Sequence, residues 1–199
     1  MAETVIRREG RSAGERHGAL VLAAYNRIAT SGFEGLRTRD VAAEVGVNIA
    51  TLHYYFPTKE ALIRAVLQHA VHQFAATIPK SGTPAEQLRG HFGALSRLLK
   101  EDLRLATVLS ELTLRAPRDA AIADSLRETD DMWFGTLCAM LRRGIEDGCC
   151  FSGLEIEPAA ALIMAAIKGV CIPSVTALRP ERVDQTFRQL GLVLGLEPV

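Results

Sequence analysis

Residues 38 to 56, TRDVAAEVGVNIATLHYYF, constrain this chain more than any other stretch, because two short helical patterns meet there at a single glycine. Val41, Ala42 and Val45 recur at helical spacing, and Gly46 stands where a left-handed cap ends a helix. Thr38 offers a hydroxyl cap at the start, and Asp40 lies in the first turn, where the helix dipole favours an anion. Asn48 is placed to cap the second helix, in which Leu52 and Phe56 fall one turn apart and face inward. Ile49, Ala50, Thr51, His53, Tyr54 and Tyr55 are left over the remaining surface. Two helices joined by a glycine turn, the second with an outward face of this kind, make a helix-turn-helix, which lays its second helix in the major groove of DNA.

The flanking patterns complete a small helical unit over residues 15–78. A helix begins near Glu15, carries Leu22, Tyr25, Ile28 and Ala29 on one face and ends at Ser31-Gly32. Phe33, Leu36 and Val47 plug the small core. Thr58 then caps a long helix with Leu62, Val66, Ala70 and Phe74 at helical spacing, closing near Pro79. Residues 1–14 read as an arm whose Arg7, Arg8 and Arg11 either reach a neighbouring minor groove or stay in solvent.

Gly82, Thr83 and Pro84 mark a break, and residues 79–199 form a second helical domain. Its patterns predict helices near 84 to 101, 103 to 115, 119 to 147, 158 to 178 and 181 to 196, with no run of alternating strand residues. Pro173 falls inside the fourth and should kink or end it. The expected fold is all-α, a three-helix helix-turn-helix domain followed by a second helical domain, to which the family resemblance described below assigns ligand binding and dimerisation.

With 199 residues, nearly half apolar, the chain can bury a substantial core. Its formal charge is zero, and residues 1–64 carry only +2 against −2 for the rest, so any attraction to nucleic acid has to be local. The first eighteen residues have no apolar core and no stretch is apolar enough to span a membrane, which predicts a cytoplasmic protein. Cys138, Cys149, Cys150 and Cys171 lack a paired metal-ligand spacing and read as free thiols, with a redox or metal sensor as the alternative. His69 and His72 share a helix face, but two ligands do not make a metal site. No glycine-rich phosphate loop and no nucleophile with a base is evident, so neither an enzyme nor a cofactor is expected.

The stretch GFEGLRTRDVAAEVGVNIATLHYYFPTKEALIRAVL resembles the N-terminal domain of the TetR family of bacterial transcriptional regulators, over about residues 15 to 74. The resemblance rests on Gly32-Phe33, the Thr-Arg-Asp-Val start, the Gly-Val turn, the Thr-Leu-aromatic run and Lys59-Glu60 opening the next helix. The chain departs from the common pattern at His53, Tyr55, Asn48 and Ala50, which bears on the operator sequence rather than on the fold.

The resemblance implies that Thr38, Tyr54, Tyr55 and Lys59 touch the DNA backbone, while Ile49, Ala50, Thr51 and His53 face bases or lie beside them. Thr51 can do either. Residues 48 to 55, opening at Asn48, thus form the predicted recognition surface, with Arg37 and Arg39 as flanking cations that either reach phosphate or stay solvated. One head makes few contacts, so pairing across one helical turn of an operator predicts a homodimer. The family places dimer contacts on the last two helices, here Leu162, Ile163, Ala166, Ile167 and Val170, then Phe187, Leu190, Val193 and Leu194, whose stripes equally suit internal core.

The family also places a small-molecule pocket among the middle helices. Phe74, Phe92, Leu95, Leu99, Leu109, Leu112, Met132, Trp133, Leu137, Met140, Leu141 and Met164 are either its lining or plain core, and their character points to a hydrophobic or aromatic effector. The expected partners are therefore double-stranded operator DNA, a small-molecule effector and a second copy of the chain, with no membrane. The resulting expectation is a ligand-responsive regulator, most often a repressor in this family. The rival is a non-catalytic helical sensor or adapter without specific operator binding.

Overall fold

The computed structural model describes residues 12–148, 153–173 and 179–196. The arm arginines Arg7, Arg8 and Arg11, the pair Cys149 and Cys150, and the expected helix end over 174–178 lie outside the described residues. Among the described residues every regular element is helical, as the patterns predict.

Helix α1 (Ala13–Ser31) opens with a capping box, in which the Ser12 hydroxyl accepts from Glu15 N (3.2 Å) and the Glu15 carboxylate accepts from Ser12 N (2.6 Å). It stops at Gly32, whose positive φ of 62° suits a residue without Cβ. Helix α2 (Thr38–Val45) ends at Gly46 in the left-handed region, φ 76° and ψ 31°, and the chain re-enters a helix after two intervening residues. Helix α3 (Ile49–Tyr55) follows, then α4 (Lys59–Ala75), α5 (Pro84–Glu101), α6 (Arg104–Arg115), α7 (Ala120–Glu146), α8 (Ile156–Val170) and α9 (Glu181–Val193). A single 3-10 turn at Phe33–Gly35 bridges α1 and α2.

Three expectations need correction. Thr38 does not cap α2: Arg37 holds the extended cap position and Thr38 is already helical, so its hydroxyl makes no cap bond. Leu22 is 46% exposed. It leaves the side of α1 opposite to buried Leu20, Ala24 and Ile28, while the other stripe members hold, Tyr25 and Ile28 buried and Ala29 partly buried against the core. Helix α8 stops at Val170, ahead of Pro173, because proline cannot donate to the preceding turn and clashes with it.

Two buried clusters organise the chain. The first joins Leu20, Ile28, Leu36, Val41, Leu52, Phe56, Leu62 and Val66 and is completed by Leu105, Val108 and Leu112 of α6 and Ile122 of α7. The second joins α5, α7, α8 and α9 through Leu88, Leu95, Leu141, Ile163 and Leu190, with Phe92 and Phe187 stacked at 5.4 Å. The break expected near residue 79 therefore separates the sequence but not the packing, because α6 belongs to the core of the helix-turn-helix unit. Phe74, near the end of α4, packs against both clusters.

Polar contacts fix the angles. Arg27 of α1 ion-pairs with Asp40 (3.5 Å) and Glu44 (3.0 Å) of α2. The Tyr25 hydroxyl donates to Gln73 Oε1 (3.3 Å), and Gln73 Nε2 donates to His69 Nε2 (2.7 Å), tying α1 to α4. On α6, Glu111 accepts from Phe33 N (3.4 Å) and the Arg115 guanidinium lies 5.0 Å above the Phe33 ring.

His91 of α5 is fully buried, and burial holds its pKa down to about 4 from an ordinary 6.5. The unfolded chain therefore binds the extra proton at a higher pH than the folded one. Stability is whole above the unfolded value and falls as the pH drops through 6.5 toward 4, by on the order of 3 kcal/mol in the limit. Urea unfolding at a series of pH values should show this loss, and a His91→Phe variant should lack most of it.

Candidate nucleic-acid interface

Helix α3 is short, and a helix of this length does not persist alone. It is held because Leu52 and Phe56 are buried in the first cluster while Asn48 closes its open end. Asn48 Oδ1 accepts from Thr51 N (2.7 Å) and from the Thr51 hydroxyl (2.9 Å). The Thr51 hydroxyl hydrogen is thereby committed, leaving its oxygen lone pairs as the polar feature it offers.

Around that anchor the predicted recognition residues come together on one side of the head. Asn48, Ala50, His53 and Tyr54 are exposed, Tyr54 at 81%. Ile49 and Tyr55 pack partly against the core, so they present an edge rather than a whole side chain. Tyr55 meets Tyr54 edge-on at 5.3 Å and His17 of α1 at 6.1 Å, and His17 also lies 4.8 Å from Phe56. Sequence patterning missed His17, because a lone histidine on an amphipathic helix carries no signal until α1 is seen crossing the end of α3. Arg37 and Arg39 are exposed beside Thr38, and Lys59 opens α4, whose cap Thr58 accepts from Ala61 N (3.1 Å).

The predicted pocket residues divide. Phe74, Leu109 and Trp133 line a cavity of about 480 Å³ between α4, α6, α7 and α8, together with Val71, Leu126, Ile167 and Cys171. Phe92, Leu95, Leu99, Leu112, Leu137, Met140 and Leu141 are closed into the cores, Met164 packs against the second cluster, and Met132 points to solvent. The wall also includes Ser110, Thr113, Thr129 and the ion pair of Lys168 with Asp130, none of which an apolar pattern could flag.

Among the dimerisation candidates, Ile163, Ile167, Val170, Phe187, Leu190 and Leu194 are buried within the chain's own core. Leu162 and Val193 stay exposed and border, with Ala166, a groove of about 490 Å³ between α8 and α9. Leu192, which the stripe did not include, is exposed as well. The thiols of Cys138 and Cys171 are free and buried, and burial pushes Cys171 up to about 12, away from thiolate chemistry. His69 is hydrogen-bonded within the head, and no group of metal-ligating side chains gathers among the described residues. No helix among them is long and apolar enough to cross a membrane.

Residues 20–66 match the family model for bacterial regulatory proteins of the tetR family, and residues 84–190 match the C-terminal model of the BetI-type transcriptional repressor. The chain is 32% identical over 103 residues to the HTH-type transcriptional regulator RutR of Escherichia coli K12, covering 52% of this chain. That match spans 45% of RutR, less than half of its length. It is 25% identical over 152 residues to the fatty acid metabolism regulator protein of Bacillus subtilis, covering 74% of this chain and 77% of that one. A TetR transcription regulator from Haloarcula marismortui has the same fold, with a TM-score of 0.81 at 22% identity over 91% of this chain and 97% of that chain.

The Asn48 cap has a measurable weight. Asn48→Ala should lower stability by about 1 kcal/mol, while Asn48→Asp, which keeps the acceptor, should cost far less. Denaturant unfolding of the three proteins side by side checks the order.

Proposed function

The chain belongs to the TetR family of bacterial transcriptional regulators, and we propose that it is a repressor that binds a palindromic operator as a homodimer and is released by a small apolar effector. The observation that carries this reading is the span of α4. It begins at Lys59, four positions beyond the end of α3, and toward its other end Val71 and Phe74 form part of the cavity wall. A helix of this length is on the order of 25 Å long and moves as a rod.

Residues 15–78 act as the DNA-reading head and 79–199 as the effector and dimer domain, with α6 spanning the two. Tyr54 and Lys59 hold phosphates, with Thr38, Arg39 and the Tyr55 edge beside them. Ala50, Thr51, His53 and the exposed part of Ile49 approach base edges, and Asn48 sets the entry of α3 into the groove. Leu162, Leu192 and Val193 supply the apolar surface that a second copy covers. Pairing puts two heads about one helical turn apart, roughly 34–36 Å.

An effector that fits the cavity better when α4 is tilted shifts the population toward heads spaced wrongly for the operator. The cavity wall is largely apolar, and a relative named for fatty acid metabolism accords with an apolar ligand. The protein works by binding rather than turnover, and it does so in the cytoplasm, where the operator is.

Genomic fragments retained by the purified chain at about 0.15 M salt, where loose phosphate attraction is screened, should be enriched in one inverted repeat. Uniform recovery or none favours the helical-adapter alternative. On that repeat Lys59→Ala should weaken binding and reduce the salt slope by about 1, while sedimentation still reports a dimer. Tyr54→Ala should weaken it as well, and unchanged affinity in both variants refutes the docking face. Leu162→Glu should sediment as a monomer.

A further inference from the structure

We propose that α1 joins the DNA-binding surface, and that the ring of His17 donates a hydrogen bond to a backbone phosphate beside those held at the end of α3. The inference rests on reading α3 as the helix that enters the major groove.

His17 is placed by the buried stripe of α1. Ile28, Ala24 and Leu20 follow one another along it at helical spacing inside the core, with Val21 beside them, and His17 is the next position of the same stripe, one turn nearer the helix start. There the stripe leaves the core. His17 is exposed, and its ring lies 4.8 Å from that of Phe56 and, edge-on, 6.1 Å from that of Tyr55. Tyr55 in turn meets exposed Tyr54 edge-on at 5.3 Å. A row of rings thus runs from α1 to the outward face of α3.

A side chain that only covers Phe56 needs no nitrogen, and the preceding turns of the stripe use leucine, valine and alanine for such work. A histidine ring carries at least one N–H in every protonation state, yet that of His17 makes ring contacts alone and no hydrogen bond with another described residue. The approach to it is open as well. Gly14 and Gly18, which flank it on α1, have nothing within 4 Å of the place a Cβ would take.

The acceptor follows from the shape of the groove. The major groove, about 12 Å wide, is filled by the one helix that enters it. A side chain on a neighbouring helix, resting on the last turn of the first, meets the rim of the groove, and the rim is sugar and phosphate. Phosphate oxygens only accept, and a charge-assisted N–H···O bond to one is stronger than a neutral one. Base edges lie beyond the reach of α1, so His17 adds affinity and fixes the angle of α3 without reading sequence.

The test uses the full-length protein, the inverted repeat it retains from genomic DNA and three variants. His17→Phe keeps a ring over Phe56 and removes both nitrogens, His17→Gln keeps a neutral donor, and His17→Arg adds a permanent cation. At about 0.15 M salt His17→Phe should bind the repeat roughly tenfold more weakly, with the same loss on a repeat in which one base pair is exchanged. His17→Gln should retain most of the affinity. The slope of log affinity against log salt should be steeper for His17→Arg than for His17→Gln by about 2, one phosphate for each head of the dimer. Ethylating one particular phosphate in each half-site should weaken the wild type and His17→Gln and leave His17→Phe unchanged. Full affinity in His17→Phe, or equal slopes for His17→Arg and His17→Gln, overturns the proposal and leaves operator binding standing. If His17→Phe unfolds in less urea than the wild type, the two slopes decide alone. A wild type that retains no repeat overturns the operator reading and this proposal with it.

Discussion

Helix α6 is packed on two sides at once, and the rest of the molecule depends on that sharing. Leu105, Val108 and Leu112 complete the core of the helix-turn-helix unit, while Leu109, Ser110 and Thr113 form a wall of the cavity. On the side toward the head, Glu111 holds Phe33 N and Arg115 covers the Phe33 ring, so the turn between α1 and α2 is gripped by a helix from much later in the chain. The turn itself needs the glycine at position 32, whose φ of 62° strains any residue with a Cβ. Interiors this close-packed do not absorb a displaced helix locally. On the proposed function, a change of cavity shape would reach the head through α6 as well as along α4.

The same economy shapes the recognition surface. Because α3 is held by Leu52 and Phe56 below and by Asn48 at its start, its outward residues are positioned before any DNA arrives. Little conformational entropy remains to be lost on docking, which favours specificity from few contacts. The Thr51 hydroxyl is committed to Asn48, so the polar face of α3 at these two positions is fixed by the same contact that caps the helix. It also makes positions 48 and 51 one unit, so exchanging either residue alters what the other offers to a base.

Much of this was legible in the sequence. The glycine at 46, the caps at Asn48 and Thr58 and the inward pair Leu52 and Phe56 are local features, set by backbone rules acting over three or four residues. The helices after residue 84 were legible for the same reason. What escaped depended on which helices pack together. Leu22 and Tyr25 sit in one apolar pattern, yet only the second is buried, because α1 is covered on the faces that α2, α4 and α6 happen to occupy. Ile163 and Leu162 are adjacent in a helix apolar nearly all round, and sequence alone gave no means of telling core from outer surface. The ring of Phe74 joining both clusters, and the polar groups of the cavity wall, arise from contacts between helices distant in the chain.

That division between apolar bulk and a few polar atoms bears on how such a cavity can switch anything. A hundredfold loss of operator affinity requires a ligand to prefer one conformation by about 2.7 kcal/mol. Apolar burial supplies affinity but little preference, since a wall of aliphatic side chains accommodates an oily body about equally well before and after a small helix shift. Uniform binding of that kind moves no equilibrium. Hydrogen bonds are directional and weaken steeply with misalignment, so a tilt of α4 or α6 alters them far more than it alters the apolar contacts. On the proposed function, then, apolar contacts set how tightly an effector binds, and directional polar contacts set how far its binding shifts the DNA-binding equilibrium.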